Sequence, residues 1–399
     1  MSAPRDLDVV LVAHNHYQEG GGEDVVFEAE AALLESRGHR VVRYEAHNDD
    51  IGSMAAPRLA GRTFWSTHSY RELRELIGRE QPRIAHFHNT FPLISPAAYY
   101  AAAAEGVPVV QTLHNYRLLC VNALLFRDGA ACEDCLEGRS LWPGVRHACY
   151  RESRAVSGVA AAMLTTHRKL RTWARKVDTY IALSEFARGK FVQAGLPAER
   201  IRIKPNFLGV NAACGAGDGG YVLFAGRLSA EKGVEVLLEA WKRLDGRLPL
   251  KIVGDGPLAG MVAERSAGMS SVEWLGARPR TEVLSLLQAA ALVVHPSLAY
   301  ENMPIYQIEA FATGVPAVVS GHGALAEMVE DGVVGRHFAP GDAGDLAVKV
   351  AALMNDPGER RRMSRRARKL FERRYTAERN YDLLMEIYRG TLAPPEAEE

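Results

Sequence analysis

The chain has 399 residues, too many for one ordinary hydrophobic core, so two domains are expected. Its 47% hydrophobic and 24% charged residues are typical of a globular protein in water. The 48 Lys and Arg balance the 48 Asp and Glu, which argues against a bulk polyanion such as nucleic acid as partner.

From the N-terminus, "MSAPRDLDVVLVAHN" lacks the apolar core of a signal peptide, and no apolar run in the chain reaches the ~18 residues of a membrane span. The expected compartment is therefore the cytoplasm. "DVVLVAH" reads as a buried strand and "EDVVFEAEAALLESRG" as a helix ending at Gly38. Between them, His14 and His16 lead into "EGGGE", where Gly20, Gly21 and Gly22 either form a flexible turn or open the backbone to an anion or sugar. "HRVVRYEA", "PRIAHFHN", "VPVVQTLHN", "TYIALSE" and "RIRIKPNF" continue a strand series, with His86, His88 and His114 at strand ends. Several histidines at one sheet edge suggest a set that faces a cleft.

The segment from about 117 to 150 interrupts this series with Cys120, Cys132, Cys135 and Cys149. Cys-x2-Cys flanked by two more cysteines has the composition of a closed structural zinc site; four reduced thiols packed under a loop is the other reading. From Arg139 to Lys176 nine Lys and Arg face one acid, Glu152, over a helical pattern "AVSGVAAAMLTTHRKLRTWARK". That stretch suits an anionic bilayer, an anionic acceptor, or simply a solvated helix face. "GVNAACGAGDGG" (209–220) is the linker candidate. A second strand series follows: "YVLFAGRL", "LKIVGDG", "VEWLGA", "ALVVHPS", "VPAVVSGHG" and "GRHFAP". Strands alternating with helices throughout predict an α/β fold of two doubly wound parallel domains, with ligands at the carboxyl ends of the strands. "RRRMSRRARKLFERRY" reads as a surface helix and "APPEAEE" as a frayed end.

Chemistry-bearing residues cluster at strand ends of the second series. "FAGRLSAEKG" sets Arg227 and Lys232 beyond a strand and ahead of a helix, where the pair can clamp a diphosphate. "VGDGP" and "WLGAR" end the next strands. In "ENMPIYQIE", Glu301 and Glu309 stand two helical turns apart, with Pro304 suited to the first turn. No P-loop is present, and no G-x-G-x-x-G follows the first strand. The one Asp-x-Asp, Asp6-Leu7-Asp8, precedes its strand, at the wrong end of the sheet to hold Mg²⁺ against a diphosphate.

Taken together, the glycine loop after the first strand, "TLHNYR", "GRLSAEKG", "VGDGP" and the Glu-x7-Glu motif followed by "AFATGVPAVVS" resemble the retaining glycosyltransferases of family 4. The resemblance covers nearly the whole length. It implies the GT-B fold, two Rossmann-like doubly wound domains facing each other across a cleft. Residues 1–207 would form an acceptor-binding domain, 208–375 a nucleotide-sugar domain, and 376–399 a helix packing back on the first domain, then the tail. Implied catalytic residues are Arg227, Lys232, Glu301 and His114. The implied donor-binding set is Gly21, Gly22, Gly226, Gly254, Asp255, Leu275, Asn302, Met303, Pro304, Ile305 and Glu309. In these roles Arg227 and Lys232 hold the diphosphate, Glu301 reads the sugar hydroxyls, and Glu309 the ribose. Asn302 departs from the family's Glu-Gly-x-Pro and implies an altered sugar preference.

The expected activity is hexosyl transfer from a UDP- or GDP-sugar to a glycan, lipid-linked saccharide or small molecule. No catalytic cofactor is expected, and membrane contact is at most peripheral, at the inner face. A sugar-nucleotide epimerase of the same fold and a non-catalytic sugar-nucleotide-binding module are the alternatives.

Overall fold

A computed structural model describes residues 7–209 and 212–393. The first six residues (with Asp6 of the Asp-x-Asp), linker positions 210 and 211, and the tail from 394 lie outside the described residues. By compactness the chain divides into two units. One comprises Met1–Ala123, Glu133–Gly209 and Ala377–Glu399; the other comprises Leu124–Cys132 and Val210–Thr376.

In the first unit, β1 (Val9–His16), β2 (Arg40–His47), β3 (Ile84–Asn89) and β4 (Val109–Leu113) belong to one parallel sheet. In sequence a small antiparallel hairpin follows, β5 (Phe126–Arg127) with β6 (Ala130–Ala131), which is grouped with the second unit; β7 (Thr179–Ala182) and β8 (Ile201–Ile203) complete the first sheet. The order is β2-β1-β3-β4-β7-β8. Six consecutive residues of β1 are buried, because helices cover both sheet faces and no solvent-facing alternation is needed. Helix Gly22–Ser36 turns Val26, Phe27, Glu30, Ala31 and Leu34 inward at helical spacing. The last helix, Ala377–Leu392, places Leu384, Met385, Ile387 and Tyr388 in the same core as Val10, Val12, Phe27 and Ile84.

In the second unit β9 (Val222–Ala225), β10 (Leu250–Val253), β11 (Val272–Trp274), β12 (Leu292–His295), β13 (Ala317–Ser320) and β14 (Gly335–Phe338) form a parallel sheet ordered β11-β10-β9-β12-β13-β14. This is the dinucleotide-fold order, whose reversal falls between β9 and β12. In the first unit the reversal falls between β1 and β3. Leu237, Trp241, Ile252, Val294 and Leu346 anchor the second core.

Two segments differ from their sequence reading. The glycine-rich stretch is fixed to the second unit: the amides of Gly215, Gly217 and Gly219 donate to the carbonyls of Thr313, Gln288 and Ala289 at 2.9, 3.1 and 2.8 Å. A Cβ on Gly215 would lie 2.1 Å from the Gln288 carbonyl oxygen, so this glycine serves close approach, not flexibility. The basic pattern is not one helix but two, Arg154–Lys169 and Thr172–Lys176, broken where Arg171 adopts φ 56°. Helix Pro357–Arg374 buries only Met363, Ala367 and Phe371, one i, i+4, i+8 stripe; most of its arginines are exposed, while half-buried Arg360 and Arg368 donate to backbone carbonyls. Among the described residues, no helix is long and apolar enough to cross a membrane.

Candidate functional site

The reversal between β9 and β12 gathers the cations and carboxylates of the second unit. β9 ends at Ala225, so Gly226 and Arg227 leave its carboxyl edge, and Arg227 is exposed. The chain then makes a short 3-10 turn, Ala230–Lys232, that ends at Gly233. Gly233 has φ 68°, and a Cβ there would lie 1.8 Å from the carbonyl oxygen of Pro296, just after β12. Only glycine permits this contact. It sets Lys232 against the loop after β12, where its ammonium donates to Glu301 Oε1 at 2.6 Å. The Ser297 hydroxyl donates to the same oxygen at 2.8 Å. Burial pushes the Glu301 carboxyl up, but the Lys232 ammonium and the Ser297 hydroxyl outweigh it and hold the group below its usual range. His295, buried beside this pair, is pushed down to about 4 by desolvation and is therefore neutral.

Glu301 lies in the loop, and helix Ile305–Thr313 starts after it with Pro304 as N-cap instead of in the first turn. Seven of the nine helical residues, Gln307 to Thr313, are buried. Glu309 is among them, and its Oε1 accepts from Arg280 Nε at 2.9 Å and from Nη2 at 2.8 Å. Burial outweighs the arginine and raises the Glu309 carboxyl. Asn302 and Met303 are also buried, whereas Pro304 and Ile305 are half-buried. Gly254 and Gly256 have φ 139° and 155°, and Cβ atoms there would strike the Gly226 and Leu228 carbonyl oxygens at 1.9 and 2.6 Å. These glycines let the loop after β10 press against the loop that carries Arg227. The exposed Asp255 accepts from the Gly256 amide at 2.7 Å, and the Leu275 amide donates to Ile252 at 2.9 Å.

The carboxyl edge of the first sheet holds the histidines, though not as a solvent-facing set. His14, His86, His88 and His114 are all buried; only His16 is partly open. His114 Nε2 lies 2.9 Å from His88 Nδ1, and desolvation pushes both down, His88 to about 3. His88 Nε2 and His86 Nδ1 lie 3.2 and 3.1 Å from Glu30 Oε1, whose other oxygen accepts from the buried Lys204 at 2.6 Å. His86 also meets the Tyr388 hydroxyl of the last helix at 2.8 Å. A sheet packed on both faces encloses whatever its last residues carry, so most of these rings serve an internal network. Of the buried four, His88 and His114 border open space. They line a cavity with Thr90, Phe91, Asn115 and Arg117.

Ahead of helix Gly22–Ser36, Gly21 is the N-cap in extended backbone, and its amide donates to Asp24 at 2.6 Å. A Cβ on Gly20 would meet nothing within 4 Å, and one on Gly21 only Asp24 at 3.7 Å. Neither backbone strain nor crowding inside the protein demands these two glycines. Beside them Glu23 accepts from the Asn115 amide at 2.6 Å and the Tyr17 hydroxyl at 3.2 Å, and burial raises its carboxyl to about 7.

Among the described residues, the groups of three or more ligand-type side chains with atoms within 4.8 Å of one another consist of histidines and carboxylates, not cysteines. The Cys120 thiol donates to Asn122 Oδ1 at 2.9 Å. Among the described residues, the sulfurs of Cys120, Cys132, Cys135 and Cys149 do not form such a group.

The structure thus pairs Lys232 with Glu301, and pairs Glu309 with Arg280, which the sequence reading overlooked. It places Gly21, Gly22 and His114 in the other unit. Also overlooked were Ser297, His295, Glu23 and Asn115. Glu23 closes the quoted "EGGGE" and Asn115 lies within "TLHNYR", so the signal was adjacency to motifs already singled out.

Two family models match. "Glycosyltransferase Family 4" covers residues 19–211 and "Glycosyl transferases group 1" covers residues 215–370. The chain is 28% identical to the alpha-D-kanosaminyltransferase of Streptomyces kanamyceticus, over 82% of each chain. It is 30% identical to the phosphatidyl-myo-inositol mannosyltransferase of Mycobacterium leprae, over 47% of this chain and 52% of that one. Among solved structures, Anabaena Alr3699/HepE in complex with UDP-glucose superposes with a TM-score of 0.67 at 18% identity, covering 96% of this chain and 99% of that one. With both units matched in this way, the chain belongs to the family 4 glycosyltransferases and has their GT-B fold.

Proposed function

We propose that the protein is a retaining, metal-independent hexosyltransferase that takes its sugar from a nucleoside-diphosphate sugar. The observation that carries this reading is the Lys232–Glu301 pair at 2.6 Å, with Arg227 nearby in sequence, between the two strands where the sheet order reverses. Ligands of open α/β sheets bind at that crevice. Arg227 and Lys232 supply the positive charge that a departing diphosphate needs, so no cation has to be held by carboxylates. The pairing leaves Glu301 ionised and oriented to accept from sugar hydroxyls. Glu309, held by Arg280, is placed to accept from ribose hydroxyls, and His114, neutral, is assigned to the sugar.

Retention follows from attack on the face the diphosphate leaves, with a leaving phosphate oxygen taking the acceptor's proton. A carboxylate tied to both a lysine and a serine is a poor nucleophile, which disfavours a glycosyl-enzyme on Glu301. The name of the Anabaena complex supports UDP as the first nucleotide to test. The first unit is assigned the acceptor, while its Gly21 and Gly22 stay assigned to the donor.

The test is thermal stabilisation by UDP, GDP and ADP and their sugars, on wild type and Glu309→Ala. A nucleotide at about a hundred times its dissociation constant adds ~2.7 kcal/mol. Stabilisation by one nucleotide class, weakened in the variant, is expected; no shift with any of them would overturn the reading.

A further inference from the structure

At the carboxyl edge of the first sheet lies a second, larger cavity of about 220 Å³. Its walls are the helices Ala56–Phe64 and Arg154–Lys169 and the turn Phe91–Pro92 after β3. Leu59, Ala60, Val156 and Val159 give it an apolar lining. Two of its polar lining groups are spoken for: Asn48 Oδ1 accepts from Asn15 at 2.8 Å, and the Thr63 hydroxyl donates to Leu59 at 2.9 Å; Tyr150 and Arg151 supply the rest of the polar lining. An apolar cavity of ~150 Å³ is already enough to take up benzene.

Two further observations say what kind of molecule fits. First, Phe91 lines both this cavity and the smaller one bordered by His114 and Asn115. The Arg117 guanidinium lies 4.4 Å from the Phe91 ring and 4.6 Å from that of Tyr150, so a cation stands between the apolar and polar spaces. Secondly, Arg58, Arg151 and Arg154 are exposed on or beside the walls, and none has an ion pair among the described residues. Arg154 stands in the first turn of its helix, where the dipole disfavours a cation, and no acid in that turn offsets it.

We infer that this cavity receives the hydrocarbon chain of a lipid-phosphate acceptor, an alkyl or isoprenyl phosphate whose anionic group lies against Arg151 and Arg117 at the cavity's rim. The inference rests on the glycosyltransferase reading for the word acceptor, but the binding site stands or falls independently. Charge selects the anionic group, and the apolar walls select the chain. The shared Phe91 sets the chain beside the space that His114 borders.

The experiment is titration of the full chain with a series of alkyl phosphates from hexyl to dodecyl below their micelle concentrations, with inorganic phosphate and farnesyl phosphate alongside. Affinity should rise by about fourfold per buried methylene until the cavity is filled and then level off. Inorganic phosphate alone should bind at least a hundredfold more weakly. Ala60→Trp, which fills the cavity, should abolish the dependence on chain length. Arg151→Asn, an exposed change that tolerates the positive φ, should weaken every member by about tenfold while leaving the chain-length slope intact.

Absence of binding to the monomeric series would overturn the inference. So would binding that Ala60→Trp leaves unchanged, or association only with phosphatidylglycerol vesicles, which would instead assign the arginines to a bilayer surface. The nucleotide melting panel on the same preparations separates the two readings: nucleotide stabilisation without lipid-phosphate binding sinks only this one, and the converse sinks only the glycosyltransferase.

Discussion

Lys232 and Gly233 act as one device at the residue scale. The glycine's left-handed conformation brings the turn within reach of Pro296, and the lysine is thereby delivered to Glu301. Replacing Lys232 with Ala should lower turnover at least tenfold, since a charge-assisted contact to the leaving group is lost. Unchanged turnover in a steady-state assay would remove it from the diphosphate site. Gly233→Ala should cost more than the ~1–3 kcal/mol of a left-handed non-glycine residue, because the methyl group also meets the carbonyl; denaturant titration measures this. Glu23 carries a pH signature. Its folded pKa, about 7, is above its unfolded value of 4.5, so the fold binds the proton more tightly than the unfolded chain does. Its contribution is thus fully present below pH 4.5 and is lost as pH rises through about 7. Glu23→Gln should therefore raise the melting temperature relative to wild type at pH 8 but not at pH 4.5, and an equal effect at both would contradict the burial argument.

Between elements, the ion pair of Glu30 and Lys204 joins helix Gly22–Ser36 to the end of β8, and Lys204 also reaches Asn380 Oδ1 of the last helix at 3.3 Å. Asn380 in turn donates to the Pro205 carbonyl at 2.9 Å. Both charges are 1% exposed, so each depends on the other for solvation. Lys204→Met should cost ~3–5 kcal/mol, because it leaves a buried carboxylate without its lysine counter-charge. The double change Glu30→Met with Lys204→Met should cost less than the sum of the singles. Additive losses in chemical denaturation would show that the two charges are solvated separately. Nothing in "RIRIKPNF" marks Lys204 as buried. The strand pattern around it was readable, but its partner lies 174 residues away.

For the whole molecule, the buried histidines make acid the weak side of the fold. Burial holds His88 down to about 3 and His295 to about 4, and lowers His14 and His114 as well. Below the unfolded value of 6.5 the unfolded chain takes up protons that the folded chain refuses. These histidines therefore contribute their full stability above pH 6.5 and lose it as pH falls toward 4, one group in each sheet. Melting temperatures at pH 8, 6 and 5 should fall steadily below 6.5, less so in His88→Asn; a flat profile would mean the rings are not held neutral.

Sequence alone was enough for whatever depends on local order. Continuous apolar runs such as "VVLVA" and "LVVH", separated by helical periodicity, specify parallel strands buried on both faces, and hence the doubly wound class. Motifs at strand ends placed Lys232 and Glu301 on one edge because strand direction is set by the chain itself. What only the tertiary structure decided was which groups meet. Arg280 closes on Glu309, Lys204 on Glu30, and four of the histidines are enclosed where a solvent-facing set was expected. A glycine stretch that reads as a flexible linker is instead strapped to one unit by backbone hydrogen bonds. Burial and pairing are properties of the assembled layers: the same histidine is exposed or enclosed according to elements a hundred or more residues distant, and no local pattern records that distance.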